Sequence, residues 1–303
     1  MSRVAAWLDS DLAWSFRRSP VTVAAAAVAL LCVGGALLAP WIAPHDPFDL
    51  AALDLMDALA PPAWLAEGRW RFLLGTDDQG RDVLSGILYG ARISVAVGVA
   101  SVLLSALAGV ALGLLAGYAG GAVDAFVMRV ADVQLSFPAI LVALLVDGVA
   151  RIAVPELAHG AAAFWVIVLS IALSGWVQYA RTVRGSTLVE ARKEYVQAAR
   201  LIGRHPAAIV LRHILPNVTG PVLVIATIHL ATAITTEATL SVLGVGMPAT
   251  TPSLGTLIRI GNDFLFSVEW WITLFPGLAL VALVLSVNLL GDWLRDALNP
   301  RLA

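Results

Sequence analysis

The sequence predicts an all-α integral membrane protein with six transmembrane helices and both termini in the cytoplasm. Three observations carry this expectation. Of 303 residues, 59% are hydrophobic and only 13% are charged, about half the ~25% charge of an ordinary soluble domain. Five charge-free stretches are long enough to cross a bilayer, which takes about 20 apolar residues. The basic residues also cluster in a way that orients the chain. The same composition excludes disorder, which needs low hydrophobicity. A net charge of −2 gives no basic footprint for nucleic acid. The single cysteine, Cys32, excludes a disulfide framework and any multi-cysteine metal site.

The first span is read over Ser19 to Pro44. Its core, Val21 to Ala43, exceeds the 7–15 residues of a signal-peptide apolar region, so it is expected to stay uncleaved. Further spans are read over Ile93 to Val123, Leu157 to Ala180, His213 to Thr236 and Trp270 to Gly291. The sixth is hidden. Val133 to Val146 is too short to cross alone, but extension back to Ala125 makes it long enough while including Arg129 and Asp132. Accepting it places the most basic loop, Arg181 to Arg212, on the same side as Arg17 and Arg18. Thirteen of the 19 Lys and Arg residues then lie inside. The run Ala238 to Ile258 contains Pro248 and Pro252, and reads as the end of the fifth span plus an external loop. A short interfacial helix is expected near Leu254 to Phe264, with Trp270 and Trp271 at headgroup level.

The external segment 45–92 holds eight of the 21 acidic residues. Thr76-Asp77-Asp78-Gln79 has capping-box spacing, which places the two aspartates at the positive end of a helix. Val83, Leu84, Ile87 and Leu88 recur at helical spacing, as expected for a helix on the membrane surface. A calcium loop starting at Asp77 fails, because its twelfth position is Leu88 rather than Glu. Gly109, Gly113 and Gly117 form a stripe that admits another helix at close range, either within the bundle or from a second subunit. Arg129 and Asp132 stand three apart and could pair. Asp132 and Glu237 are costly at membrane depth, and read either as interhelical hydrogen bonders or as lining a translocation path.

The most informative segment is the cytoplasmic loop, about 181–217. Tyr195, Ala198, Ala199 and Ile202 fall on one face of a short helix from Glu194 to Gly203. Gly203 suits a left-handed helix end, and Pro206 can open the next helix. A small-residue face of this kind could enter a partner's groove, or could merely connect two spans.

This loop resembles the EAA loop of ABC-importer permeases, with pattern E-A-A-x3-G-x9-I-x-L-P. Ala198, Ala199, Gly203, Leu215 and Pro216 match in register. Gln197 stands in place of the leading Glu, and His213 in place of the Ile. Gly75-Thr76-Asp77-Asp78-Gln79-Gly80-Arg81-Asp82 resembles the external G-T-D-x-x-G-R-D segment of the dipeptide/oligopeptide/nickel subfamily. Glu237 to Gly244 resembles the end of its fifth span, and Asn288 to Arg301 its C-terminal N-L-L-G-D-x-L-R-D-x-L-D-P-R. The closest match is the subunit carrying an extended N-terminal region.

The resemblance implies a type-1 ABC importer transmembrane domain in a prokaryotic inner membrane. It divides the chain into an N-terminal region over 1–90, the transmembrane domain over 91–293 and a cytoplasmic tail over 294–303. It implies a second homologous permease, one or two cytosolic ATPases and an extracytoplasmic solute-binding protein, with membrane lipid around the bundle. Glu194, Tyr195, Gln197, Ala198, Ala199, Arg200, Ile202 and Gly203 would form the ATPase-docking helix. His213, Leu215 and Pro216 would support it. A P-loop needs Gly-Lys, and the only lysine, Lys193, follows Arg192. ATP and magnesium are therefore expected on partner ATPases, with no cofactor or metal on this chain. The expected substrates are di- and oligopeptides, with nickel or another small solute, or a secondary transporter, as alternatives.

Overall fold

The computed structural model describes residues 11–47, 49, 53–154 and 160–297. Leu157, His159 and the Asn299-Pro300-Arg301 end of the C-terminal motif lie outside the described residues. The described chain is nearly all helical. Helix α1 spans Asp11–Arg18 and α2 spans Pro20–Ile42. Ser19 caps α2, accepting a hydrogen bond from the Thr22 amide, and Pro20 opens it where no amide partner is needed.

Helix α3 runs unbroken from Val83–Ala119. At ~1.5 Å per residue it is longer than the ~30 Å hydrocarbon layer. The expected surface helix and second span are thus one element. Its cap is also not the expected one. Asp82 accepts from the Ser85 amide at 2.8 Å, and α3 starts one residue later. Thr76 instead receives the Ala60 amide and donates to the Asp57 carbonyl. Asp77 bridges the Gln79 and Arg81 amides and holds the Arg81 guanidinium at 2.7 Å. Several donors converge on Asp77, so the turn closes on itself rather than opening a helix. The Trp271 indole donates to the Thr76 carbonyl at 3.1 Å, which fastens this turn to the last span. Burial, and then the charge of neighbouring Asp77, pushes the Asp78 carboxyl above its usual range.

The hidden sixth span is not straight. It consists of α4, Gly121–Leu135, and α5, Ala139–Ala153, bent by 93°. Pro138 sits at the break, where its ring and missing amide forbid continuation of the α4 ladder. Helix α6 covers Gly160–Glu190, ten residues beyond the expected end of its span. Arg181 and Arg184 therefore lie on a membrane-spanning helix, not in a loop. After the cytoplasmic elements described below, α9 covers Leu215–Val242. Helix α10, Leu254–Asn262, forms where the short helix is expected, but Leu254, Gly255 and Thr256 are buried against the bundle. Helix α11, Trp271–Ala297, is the last described element. Among the described residues, five elements are long and apolar enough to cross a membrane, and the bent pair makes up to six.

The largest packing interface joins α3 to α6. A Cβ on Gly113 would stand 2.6 Å from the Ala180 carbonyl, and one on Gly109 would stand 2.5 Å from the Trp176 carbonyl. The glycine stripe thus serves contact within the bundle, and the second-subunit alternative is set aside for these glycines. Asp132 does not pair with Arg129. It pairs with Arg181 of α6, and Asp124 pairs with Arg184. These pairs and the Gln134 contact place α4 beside α6, where the cross-helix cations are within reach. Gln134 supports the same seam, accepting the Trp176 indole at 2.7 Å.

Candidate functional site: the cytoplasmic coupling loop

Three residues after α6 ends at Glu190, helix α7 spans Glu194–Leu201. Gly203 has φ +75°, and the Arg204 amide reaches back to the Ala199 carbonyl at 3.1 Å. This left-handed close is the one glycine adopts without Cβ strain. His205 then caps α8, Pro206–Ile209, with Pro206 in its first turn. A π-helical turn, Val210–Ile214, leads into α9. Leu215 and Pro216 form the first residues of α9, and Leu215 packs on the cluster beneath the loop.

That cluster sets the phase of α7. Val196 and Ala199 are buried with Ile209, Ile214, Leu114 and Val183. Ala199 therefore faces the protein's own bundle, and the expected Tyr195-Ala198-Ala199-Ile202 face is rotated by about one position. The inward apolar residues of the following turn were not visible to a helix-by-helix count, and they claim Ala199. The outward face holds Ala198, Leu201 and Ile202, with Leu201 88% and Ile202 74% exposed. Leu201 was missing from the expected set. Its signal was an apolar residue opposite Val196 and Ala199. Glu194 and Gln197 are exposed, and Gln197 donates to the Ala191 carbonyl at 2.9 Å. Arg200 stacks on the Tyr118 ring at 4.9 Å, which anchors α7 to the end of α3. The His213 ring lies beside that of Tyr195, 6.3 Å between centroids.

Charge around the tip is also sorted. Arg181, Arg184 and Lys193 form internal ion pairs with Asp132, Asp124 and Glu190. Arg192, Arg204 and Arg212 are exposed and form no ion pair among the described residues. The loop therefore exposes two large apolar side chains on a segment that also carries these exposed cations and the exposed Glu194. A complementary surface would be an apolar groove with an acidic rim.

The two residues considered for a translocation path lie elsewhere. Asp132 is partly exposed on α4 in its pair with Arg181. Glu237 has no exposed surface. It accepts Ser94 at 2.8 Å and Ser241 at 2.7 Å, while Ser94 also accepts the Leu254 amide. This corrects the path-lining alternative for Glu237: it ties α9 to α3 by the interhelical bond from Ser94, which in turn receives the α10 amide of Leu254, while Ser241 lies one turn on in α9 itself. Glu237→Leu would strand both serines, costing about 1–3 kcal/mol. Glu237→Gln keeps an acceptor and a donor at the site. We expect a lowered midpoint of thermal unfolding for the Leu variant and a much smaller change for Gln, measured on purified protein.

Comparisons with known proteins agree with this architecture. The family described as binding-protein-dependent transport system inner membrane component matches residues 109–303. The N-terminal TM domain of oligopeptide transport permease C matches residues 10–62. The dipeptide transport system permease protein DppC of Escherichia coli K12 is 41% identical over 288 residues, covering 95% of this chain and 91% of that protein. The di/tripeptide transport system permease protein DppC of Pseudomonas aeruginosa is 38% identical over 273 residues, covering 90% and 86%. A chain of the MetNI methionine ABC transporter, solved in inward-facing conformations, superposes with a TM-score of 0.54 at 20% identity, covering 69% of this chain and 94% of that one. With two-thirds of its length matched by the family and close relatives along nearly all of it, the chain belongs to the inner-membrane components of binding-protein-dependent transport systems, and is a multi-pass permease subunit of an ABC importer.

Proposed function

We propose that this permease forms half of an ATP-driven import pathway for dipeptides and short oligopeptides in a prokaryotic inner membrane. The single observation supporting the ATP-driven part is the exposed Leu201–Ile202 tip on a helix held rigidly beneath the bundle. The peptide part is supported by relatives about 40% identical that are named as dipeptide permeases. The chain is a non-catalytic subunit in this reading. ATP and magnesium sit on one or two cytosolic ATPases, which dock on α7. A second homologous permease completes the pathway, and an extracytoplasmic binding protein delivers the peptide. Residues 1–90 act as an N-terminal region, 91–293 as the transmembrane domain and 294–303 as a cytoplasmic tail.

The test is uptake of a labelled dipeptide by proteoliposomes holding the whole transporter and its binding protein. Uptake is expected with ATP inside the ATPase-facing compartment, and is expected to survive a protonophore. Uptake driven by a proton gradient without ATP would overturn the reading in favour of a secondary transporter. Uptake of a nickel chelate but not of peptides would overturn the substrate class.

A further inference from the structure

Helix α7 has only eight residues, too few to be stable alone. Apolar contacts hold Val196 and Ala199 inward, but such contacts are non-directional and do not by themselves fix a helix's pitch. Besides the Gln197 bond to the Ala191 carbonyl and the Arg200 stacking on Tyr118, the directional contacts that reach both flanking spans converge on one hydroxyl. Glu190, 8% exposed at the end of α6, accepts the Lys193 ammonium at 2.6 Å with one oxygen. Its other oxygen accepts the Tyr195 hydroxyl. That hydroxyl in turn accepts the Asn217 amide at 3.2 Å, from the first turn of α9. Asn217 also donates to the His213 carbonyl in the π-helical turn at 2.7 Å. The Tyr195 oxygen therefore joins the end of α6, the body of α7 and the start of α9.

We propose that Tyr195 is a positioning residue that ties the coupling helix to both flanking spans through Glu190 and Asn217, so that displacement of α7 moves both as one body. This rests on the reading that an ATPase docks on α7. Hydrogen bonds to a carboxylate are stronger than neutral ones, which suits a joint under load. Burial and the neighbouring Glu190 push the Tyr195 phenol up to about 12. The joint therefore keeps its proton throughout the working pH range and does not act as a pH switch.

The test uses the complete transporter with its ATPase and binding protein. Tyr195→Phe removes the hydroxyl and keeps the ring, and Asn217→Ala removes the second link. Asn217→Ala, outside the docking helix, is expected to keep the ATPase at wild-type stoichiometry and to keep hydrolysing ATP, and uptake by Tyr195→Phe is referred to the ATPase it retains. Peptide taken up per ATP is expected to fall about three- to tenfold, the weight of one net hydrogen bond. The double variant is expected to be no worse than the worse single one, because both remove the same joint. Unchanged uptake per ATP in Tyr195→Phe would overturn the proposal. So would loss of the ATPase from Asn217→Ala, since the joint would then hold the docking surface rather than transmit motion. Failure of the docking reading itself is distinguished by Leu201→Asp, which would then retain the ATPase as well as wild type does.

Discussion

Replacing Gly113 by alanine is expected to lower the stability of the purified permease by about 1–3 kcal/mol, and by valine to remove most folded protein from the membrane. The added carbon would stand 2.6 Å from the Ala180 carbonyl and 2.9 Å from Val183 Cβ. The first is backbone, so relief requires moving α3 away from α6. That interface is the largest in the molecule. Gly185→Ala makes the same chemical change on α6, where nothing lies within 4 Å of the new carbon. There the gain in helix propensity, up to about 1 kcal/mol, is unopposed. Opposite signs for the two glycines, read as thermal midpoints, would establish that crowding and not propensity governs the stripe.

Leu201→Asp is expected to leave the permease folded and to strip it of its ATPase, with uptake falling by at least about tenfold. The side chain is 88% exposed, so no internal contact is lost. On docking, burial of a leucine contributes about 1.5–3 kcal/mol, and a carboxylate in its place must be desolvated without a partner. Shifting a two-state bundle from 1:99 to 99:1 takes about 5.5 kcal/mol of differential free energy. A weakened dock cannot carry that load. Ala199→Arg would not test the same contact. Ala199 is packed with Val196, Ile209 and Ile214, so a charge there disrupts the loop before any partner arrives.

Much of this was legible from residues alone. Charge-free length located the spans, and the placement of arginines recovered the bent sixth element that hydropathy leaves too short. Gly203 and Pro206 marked the two ends around α7 where the structure has them. The errors share one cause. Local spacing carries no record of the partners that tertiary packing supplies. Thr76 had the spacing of a cap but was recruited by Asp57 and Ala60 across a turn. Asp132 had Arg129 three residues away but pairs with Arg181, a cation on another helix that local spacing does not show. Ala199 had a plausible outward phase but is claimed by a cluster drawn from α3, α6 and the π-helical turn. Of the two serines bonded to Glu237, Ser241 stands one helical turn away on the same helix, whereas Ser94 lies on α3 and left no trace in local spacing.

The central claim is that the α7 tip is where a cytosolic ATPase engages. Its most direct measurement is photo-crosslinking from a benzophenone side chain placed at position 201 of the assembled transporter, with adducts identified by mass spectrometry. The account predicts a single major adduct with the ATPase, weakened when ATP-driven closure is blocked, and no such adduct from position 70 on the external segment, where Trp70 is 83% exposed. A transporting complex in which position 201 yields no ATPase adduct would contradict it.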